Sequence, residues 1–157
     1  MFYRLIAVAT LAATALMGHA KADPYEGWYT GADIGYITDD GFDGFKYTAI
    51  GGYNFEISDT FYIGAEGFLG GISGEGDTVF DWGAVAQPGF IINGTHSVFG
   101  RIGIEGFTGN GDTEAGVLIG GGGEYGLSDG LSLRGTIDTV EFDTFSIRAG
   151  LVYRFGD

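Results

Sequence analysis

The chain has 157 residues, enough for one domain and hardly more. Its 32 glycines and 15% aromatic residues, with two prolines and no run of Gly-X-Y triplets, point to β structure rather than to collagen or disorder. Without cysteine it can carry no disulfide, thiolate metal site, cysteine nucleophile or cysteine-linked lipid anchor, and 21 acidic residues against 7 basic ones argue against nucleic acid as a partner.

Residues 1–22 read as a secretory signal peptide. Arg4 supplies the early positive charge, Leu5 to Met17 is apolar, and Ala20-Lys21-Ala22 is a small-x-small cleavage pattern. The apolar stretch falls short of the roughly 20 residues a membrane-spanning helix needs. Cleavage after Ala22 predicts a mature domain of residues 23–157, with Lys46, Arg101, Arg134, Arg148 and Arg154 as its five bases.

From Gly27 onward the dominant period is two, in eight segments near 27–37, 45–56, 61–71, 79–92, 97–107, 115–127, 131–140 and 144–155. The breaks after the second, fourth and sixth (Ile57-Ser58-Asp59-Thr60, Asn93-Gly94-Thr95-His96 and Ser128-Asp129-Gly130) suit tight hairpins. Those after the first, third and fifth read as longer, acidic loops. An even number of strands with short turns on one rim and longer loops on the other is the layout of a bacterial transmembrane barrel, with both termini in the periplasm. Pro88 has no N–H to give a ladder, which predicts a bulge or early fraying toward the end of the fourth strand.

Which face is polar separates a membrane barrel from a soluble one. One parity is free of charge within the strands, and its aromatic residues sit near strand ends: Trp28, Tyr36, Tyr47, Tyr53, Trp82 and Phe90 form the expected girdles around an aliphatic belt. The other parity carries Asp33, Lys46, Glu56, Glu66, Asp81, Arg101, Glu105, Glu124, Arg134, Asp138, Arg148 and Arg154. A charge facing lipid at mid-membrane costs about 2–4 kcal/mol, so the charged parity belongs in the lumen.

An eight-stranded barrel is just wide enough for side chains, so these acids and bases are expected to pair and plug it. The alternative is a narrow small-solute channel, gated by rearranging pairs such as Arg101 with Glu66 or Glu105. Inward glycines, including Gly31, Gly35, Gly52, Gly64 and Gly70, are candidates for small water-filled gaps.

No catalytic, cofactor or metal site is expected. His96, the one histidine after the leader, falls in a predicted turn. Gly121 to Gly126 satisfies G-x-G-x-x-G but lacks the following helix of a dinucleotide site, and Asn93-Gly94-Thr95 reads as a hairpin turn rather than a glycosylation acceptor. The acidic segments 39–43, 75–77 and 112–114 lack EF-hand spacing, leaving loose contact with the divalent cations that bridge lipopolysaccharide.

The last strand, Arg148-Ala149-Gly150-Leu151-Val152-Tyr153-Arg154-Phe155, resembles the carboxy-terminal β-signal of outer-membrane proteins, with Gly150, Tyr153 and Phe155 at its marked positions and Gly156-Asp157 following. With Gly27-Trp28-Tyr29-Thr30-Gly31 opening the first strand and Leu131-Ser132-Leu133-Arg134 in the seventh, the mature chain resembles the OmpA-like, opacity-type family of outer-membrane barrels. The resemblance implies an all-β, up-and-down meander in the outer membrane, with a structural or surface role; the lack of a catalytic constellation around His96 adds the expectation that the protein is not an enzyme. It also implies lipid and lipopolysaccharide as surroundings, the barrel-assembly machinery as a partner during biogenesis, and a monomer.

Overall fold

The computed structural model describes residues 25–39, 42–74 and 77–155; the expected leader and its cleavage point lie outside them. Eight strands follow in chain order: β1 (Gly27–Asp39), β2 (Phe42–Ser58), β3 (Phe61–Gly74), β4 (Asp77–Ile92), β5 (His96–Gly109), β6 (Asp112–Ser128), β7 (Leu131–Val140) and β8 (Thr144–Arg154). Each pairs antiparallel with the next, and β1 closes on β8 from Tyr29↔Arg154 to Thr38↔Phe145. Closure leaves no strand unpaired along the whole of either side.

The somewhat longer breaks expected after the first, third and fifth strands are shortened, because the strands run on to Asp39 and Phe42, to Gly74 and Asp77, and to Gly109 and Asp112. β5 ends at Gly109 and β6 begins at Asp112, so only Asn110 (φ 52°) and Gly111 (φ 91°) turn the chain. Two left-handed residues give a turn whose twist matches the flanking strands, and Asn93 (φ 53°) with Gly94 (φ 71°) does the same at the other end. Pairing needs only backbone groups, so the polar residues of these segments extend the ladder instead of looping out. His96, expected in a turn, is the first residue of β5.

Pro88 produces neither the bulge nor the fraying its sequence position predicts. It stays paired with Ile63 on β3, and the β4–β5 ladder skips Gln87 and Pro88, then resumes at Gly89↔Phe99 in the same register as Ala86↔Ile102. The side of Pro88 that lacks a donor thus coincides with an interruption of one ladder. The register shifts lie elsewhere, at Glu56/Ser58 and Gly126/Ser128, both beside the turns at the end that holds the termini.

The strands differ in length. A tilted strand crosses a bilayer core with about 9–11 residues. β7 and β8, with 10 and 11 residues, only match that, whereas β2 and β6 have 17 each. β6 begins its ladder with β7 only at Leu118, and Val117 meets the β7–β8 turn through Glu141, so residues 112–116 rise above that turn, laddered on the β5 side alone. This uneven rim shapes the end of the barrel opposite the termini.

Large apolar residues cover the outside: Trp28, Phe55, Phe90, Ile102, Ile137 and Leu151 are all exposed. So continuous an apolar surface suits lipid and would drive aggregation in water. Of the expected girdle, Trp28, Tyr36, Tyr47 and Phe90 are exposed, while Tyr53 and Trp82 are half-buried beneath neighbours. Tyr53 packs on Trp28 at 5.2 Å and on Phe55 at 4.6 Å. The Trp82 ring lies across Gly106, and its Nε1–H donates to Thr108 at 3.3 Å. At the closing strand, Tyr153 and Phe155 meet edge to face at 5.4 Å.

Candidate functional site: a charged lumen

Each strand sends alternate residues inward, so charges two apart in sequence enter one shared interior. Eleven of the twelve charged residues assigned to the inward parity are buried; Glu56, at the β2 bulge, is half-buried.

Eight of them form one alternating chain of acid and base: Asp33, Arg148, Asp138, Arg101, Glu66, Arg134, Glu124, Arg154. Arg101 is the hinge, with Nη1 donating to Asp138 Oδ2 at 2.9 Å and Nη2 to Glu66 Oε1 at 3.0 Å. Arg148 lies 3.2 Å from Asp33 Oδ2 on one side and bonds Asp138 on the other. Arg134 joins Glu66 and reaches Gln87 Oε1 at 2.8 Å, while Glu66 also accepts the Tyr29 hydroxyl at 2.9 Å. Arg154 bonds Glu124 and completes the chain. Four acids and four bases balance, as burial in low dielectric demands.

Lys46 makes a second cluster with Asp81, 3.1 Å away, and Glu105. Arg101 therefore pairs with Glu66 and Asp138 but not with Glu105, which Lys46 takes. The Phe68 ring sits among the cations, 5.5 Å from Lys46 Nζ and 5.9 Å from both Arg101 and Arg148, so a π face supplements the carboxylates.

The inward glycines leave no gaps, contrary to the expectation. They are the footprints of neighbouring side chains crossing the tilted sheet. A β-carbon at Gly35 would lie 2.8 Å from Arg148 Cγ, at Gly52 2.5 Å from the Tyr29 ring, and at Gly64 2.5 Å from Asn54 Oδ1. Ile50 covers Gly31 and the Thr48 backbone crowds Gly70.

Several lumen residues escape a reading focused on charge. Tyr29, Ile50, Phe68, Val85, Leu118, Val140 and Val152 form a buried apolar cluster beside the ion pairs. At the terminal end Tyr25, Tyr62 and Phe99 form another. Tyr25 stacks on Tyr62 at 5.5 Å and under Arg154 at 4.6 Å, stoppering that end. The aromatics within strands carry the inward parity and were recoverable from the alternation; Tyr25 precedes β1, where no periodicity applies. His96 stacks on Tyr125 at 4.3 Å, and its Nδ1 accepts the Gly126 N–H at 3.3 Å. Among the described residues, no group of three His, Asp or Glu side chains converges to hold a metal.

The family model of the outer membrane protein beta-barrel domain matches residues 6–155. No curated protein sequence matches the chain. Among solved structures, Ail, the attachment invasion locus protein of Yersinia pestis, superposes with a TM-score of 0.56 at 16% identity, covering 83% of this chain and 99% of its own. The Neisserial surface protein NspA gives 0.53 at 14%, covering 82% and 97%. The outer membrane enzyme PagL gives 0.54 at 14%, covering 81% and 99%. At such identities the likeness is one of fold.

Proposed function

This chain belongs to the outer membrane protein β-barrel domain family, and from that premise we propose that it is a non-catalytic, surface-exposed barrel whose lumen is closed by its own charges. The termini face the periplasm, the uneven acidic rim faces outward, and Gly150, Tyr153 and Phe155 on the closing strand serve recognition during assembly. The observation that carries the closed-lumen reading is the eight-residue chain from Asp33 to Arg154, which joins side chains of β1, β3, β5, β6, β7 and β8 across the interior.

PagL shows that this fold can carry an enzyme. Here the one histidine after the leader has its Nδ1 engaged by a backbone N–H beside a turn, and its ring is stacked on Tyr125. That commitment supports the non-catalytic reading. Ail has been solved with the heparin analogue sucrose octasulfate. In this chain all five bases of residues 25–155 are buried in the lumen, which argues against a polyanion as the surface ligand.

The test is conductance in planar bilayers. The expected result is a sealed membrane with rare, small events; stable, large unitary currents from the unmodified barrel overturn the reading in favour of the small-solute channel.

A further inference from the structure

At the end opposite the termini, the tall β5–β6 hairpin overtops the short β7–β8 turn and leaves a concave vestibule. Its volume is about 520 Å³, within the roughly 300–1,000 Å³ typical of small-molecule sites. Its floor is apolar, made of Ile37, Ile72, Val79, Phe107 and Val140, one from each of five strands. Four carboxylates, Asp39, Glu114, Glu141 and Asp143, stand among the lining residues, and no lysine or arginine does.

The rim is built rather than incidental. Glu141 (φ 53°) and Phe142 (φ 66°) hold left-handed conformations that non-glycine residues rarely adopt. The Glu141 carboxylate accepts the Val117 N–H at 2.7 Å, and its own N–H donates to Val117 O at 3.0 Å, tying the short turn to the tall hairpin. Thr144 donates to Asp39 Oδ2 at 2.9 Å, joining β8 to β1 across the same rim. One inward step below the floor, Lys46 faces two carboxylates, Asp81 and Glu105, so the layer beneath adds no net positive charge.

We propose that this vestibule binds a small organic cation with an apolar body, the body seated on Val79, Phe107 and Val140 and the charge held by the acidic rim. Apolar floor and acidic rim together select this chemistry. An anion meets carboxylates, a hydrated metal ion gains nothing from the floor, and a neutral apolar molecule leaves the rim unused. The proposal goes beyond the closed-barrel reading and does not require the lumen below to be sealed.

The test is isothermal titration of the whole barrel, in nanodiscs of phosphatidylcholine at low salt, with benzyltrimethylammonium. One saturable site is expected, weakening as salt screens the rim. Tetramethylammonium, which keeps the charge and lacks the ring, and benzyl alcohol, which keeps the ring and lacks the charge, should each bind at least about five-fold more weakly. Glu114→Gln with Asp143→Asn should weaken benzyltrimethylammonium about five-fold while leaving heat-modifiable gel mobility unchanged. Val79→Trp, which fills the vestibule, should abolish binding. Equal binding of tetramethylammonium or magnesium, stronger binding of benzenesulfonate, unchanged affinity in the rim variant, or no saturable binding would each overturn the proposal. The rim variant alters only exposed side chains, so it decides the matter even if Val79→Trp fails to fold.

Discussion

At the waist of the barrel three of the four guanidiniums bridge two carboxylates each, and every charge is set by its neighbours. At the vestibule, a few residues higher on the same strands, the lining has carboxylates, no base, and an apolar floor. Water explains the difference. In the dry waist an unmatched charge costs several kcal/mol, so composition is forced toward neutrality. At the open rim solvent screens like charges, and acids can accumulate without matching bases at little cost. Charges at the waist hold the fold; those at the rim stand in solvent, two of them, Asp39 and Glu141, tied to neighbouring strands by single hydrogen bonds from Thr144 and Val117.

The sharpest way to break this comparison is to remove a base at the waist. Arg101→Met leaves Asp138 and Glu66 with one basic partner each, and should lower unfolding stability in lipid vesicles by about 3–5 kcal/mol. Adding Asp138→Asn should recover part of that loss, because it removes the charge left short of partners; no recovery would mean the loss is one of packing.

Next in size is a charge placed on the wrong side of the same wall. Ala84→Arg, midway along β4 on the outer face, should cost about 2–4 kcal/mol in vesicles. Val85→Thr, one residue on and buried in the apolar lumen cluster, should cost about 1–2 kcal/mol through its buried hydroxyl. Equal losses for the two would contradict the assignment of faces.

The stopper at the terminal end is a smaller contribution. Tyr25→Ala removes one aromatic stack and one cation–π contact, so a loss of about 1–2 kcal/mol is expected, read as a lower denaturant midpoint with an unchanged slope. At the rim the same logic predicts almost nothing. Glu114→Gln with Asp143→Asn should shift stability by no more than about 0.5 kcal/mol, since both side chains are exposed. A rim variant as damaging as Arg101→Met would erase the distinction between the two regions.

Much of this was legible in the sequence because a strand's period is two and a membrane polices one of its faces. The eight segments begin within about three residues of the observed strands, and the segregation of charge follows from the parity that holds Lys46, Arg101 and Arg148. The strand ends were less legible. Thr108, Gly109, Asp112 and Thr113 look like loop by composition, yet they pair, because a two-residue turn of Asn110 and Gly111 keeps the flanking backbones in register.

Alternation along one strand determined the number of strands, the face each residue takes, and the clean outer surface, since these depend only on local geometry and on the penalty for charge in lipid. Partners across the lumen are another matter. Arg101 meets Glu66 and Asp138 but not Glu105, Arg148 lies over Gly35, and Tyr25 folds beneath Arg154; each depends on the heights to which eight strands are staggered when the sheet closes. The vestibule depends on the same stagger. Only closure brings Ile37, Ile72, Val79, Phe107 and Val140 to one level beneath the rim, because residues up to 103 positions apart in the chain become neighbours through tilt and register rather than through any pattern written in the segments themselves.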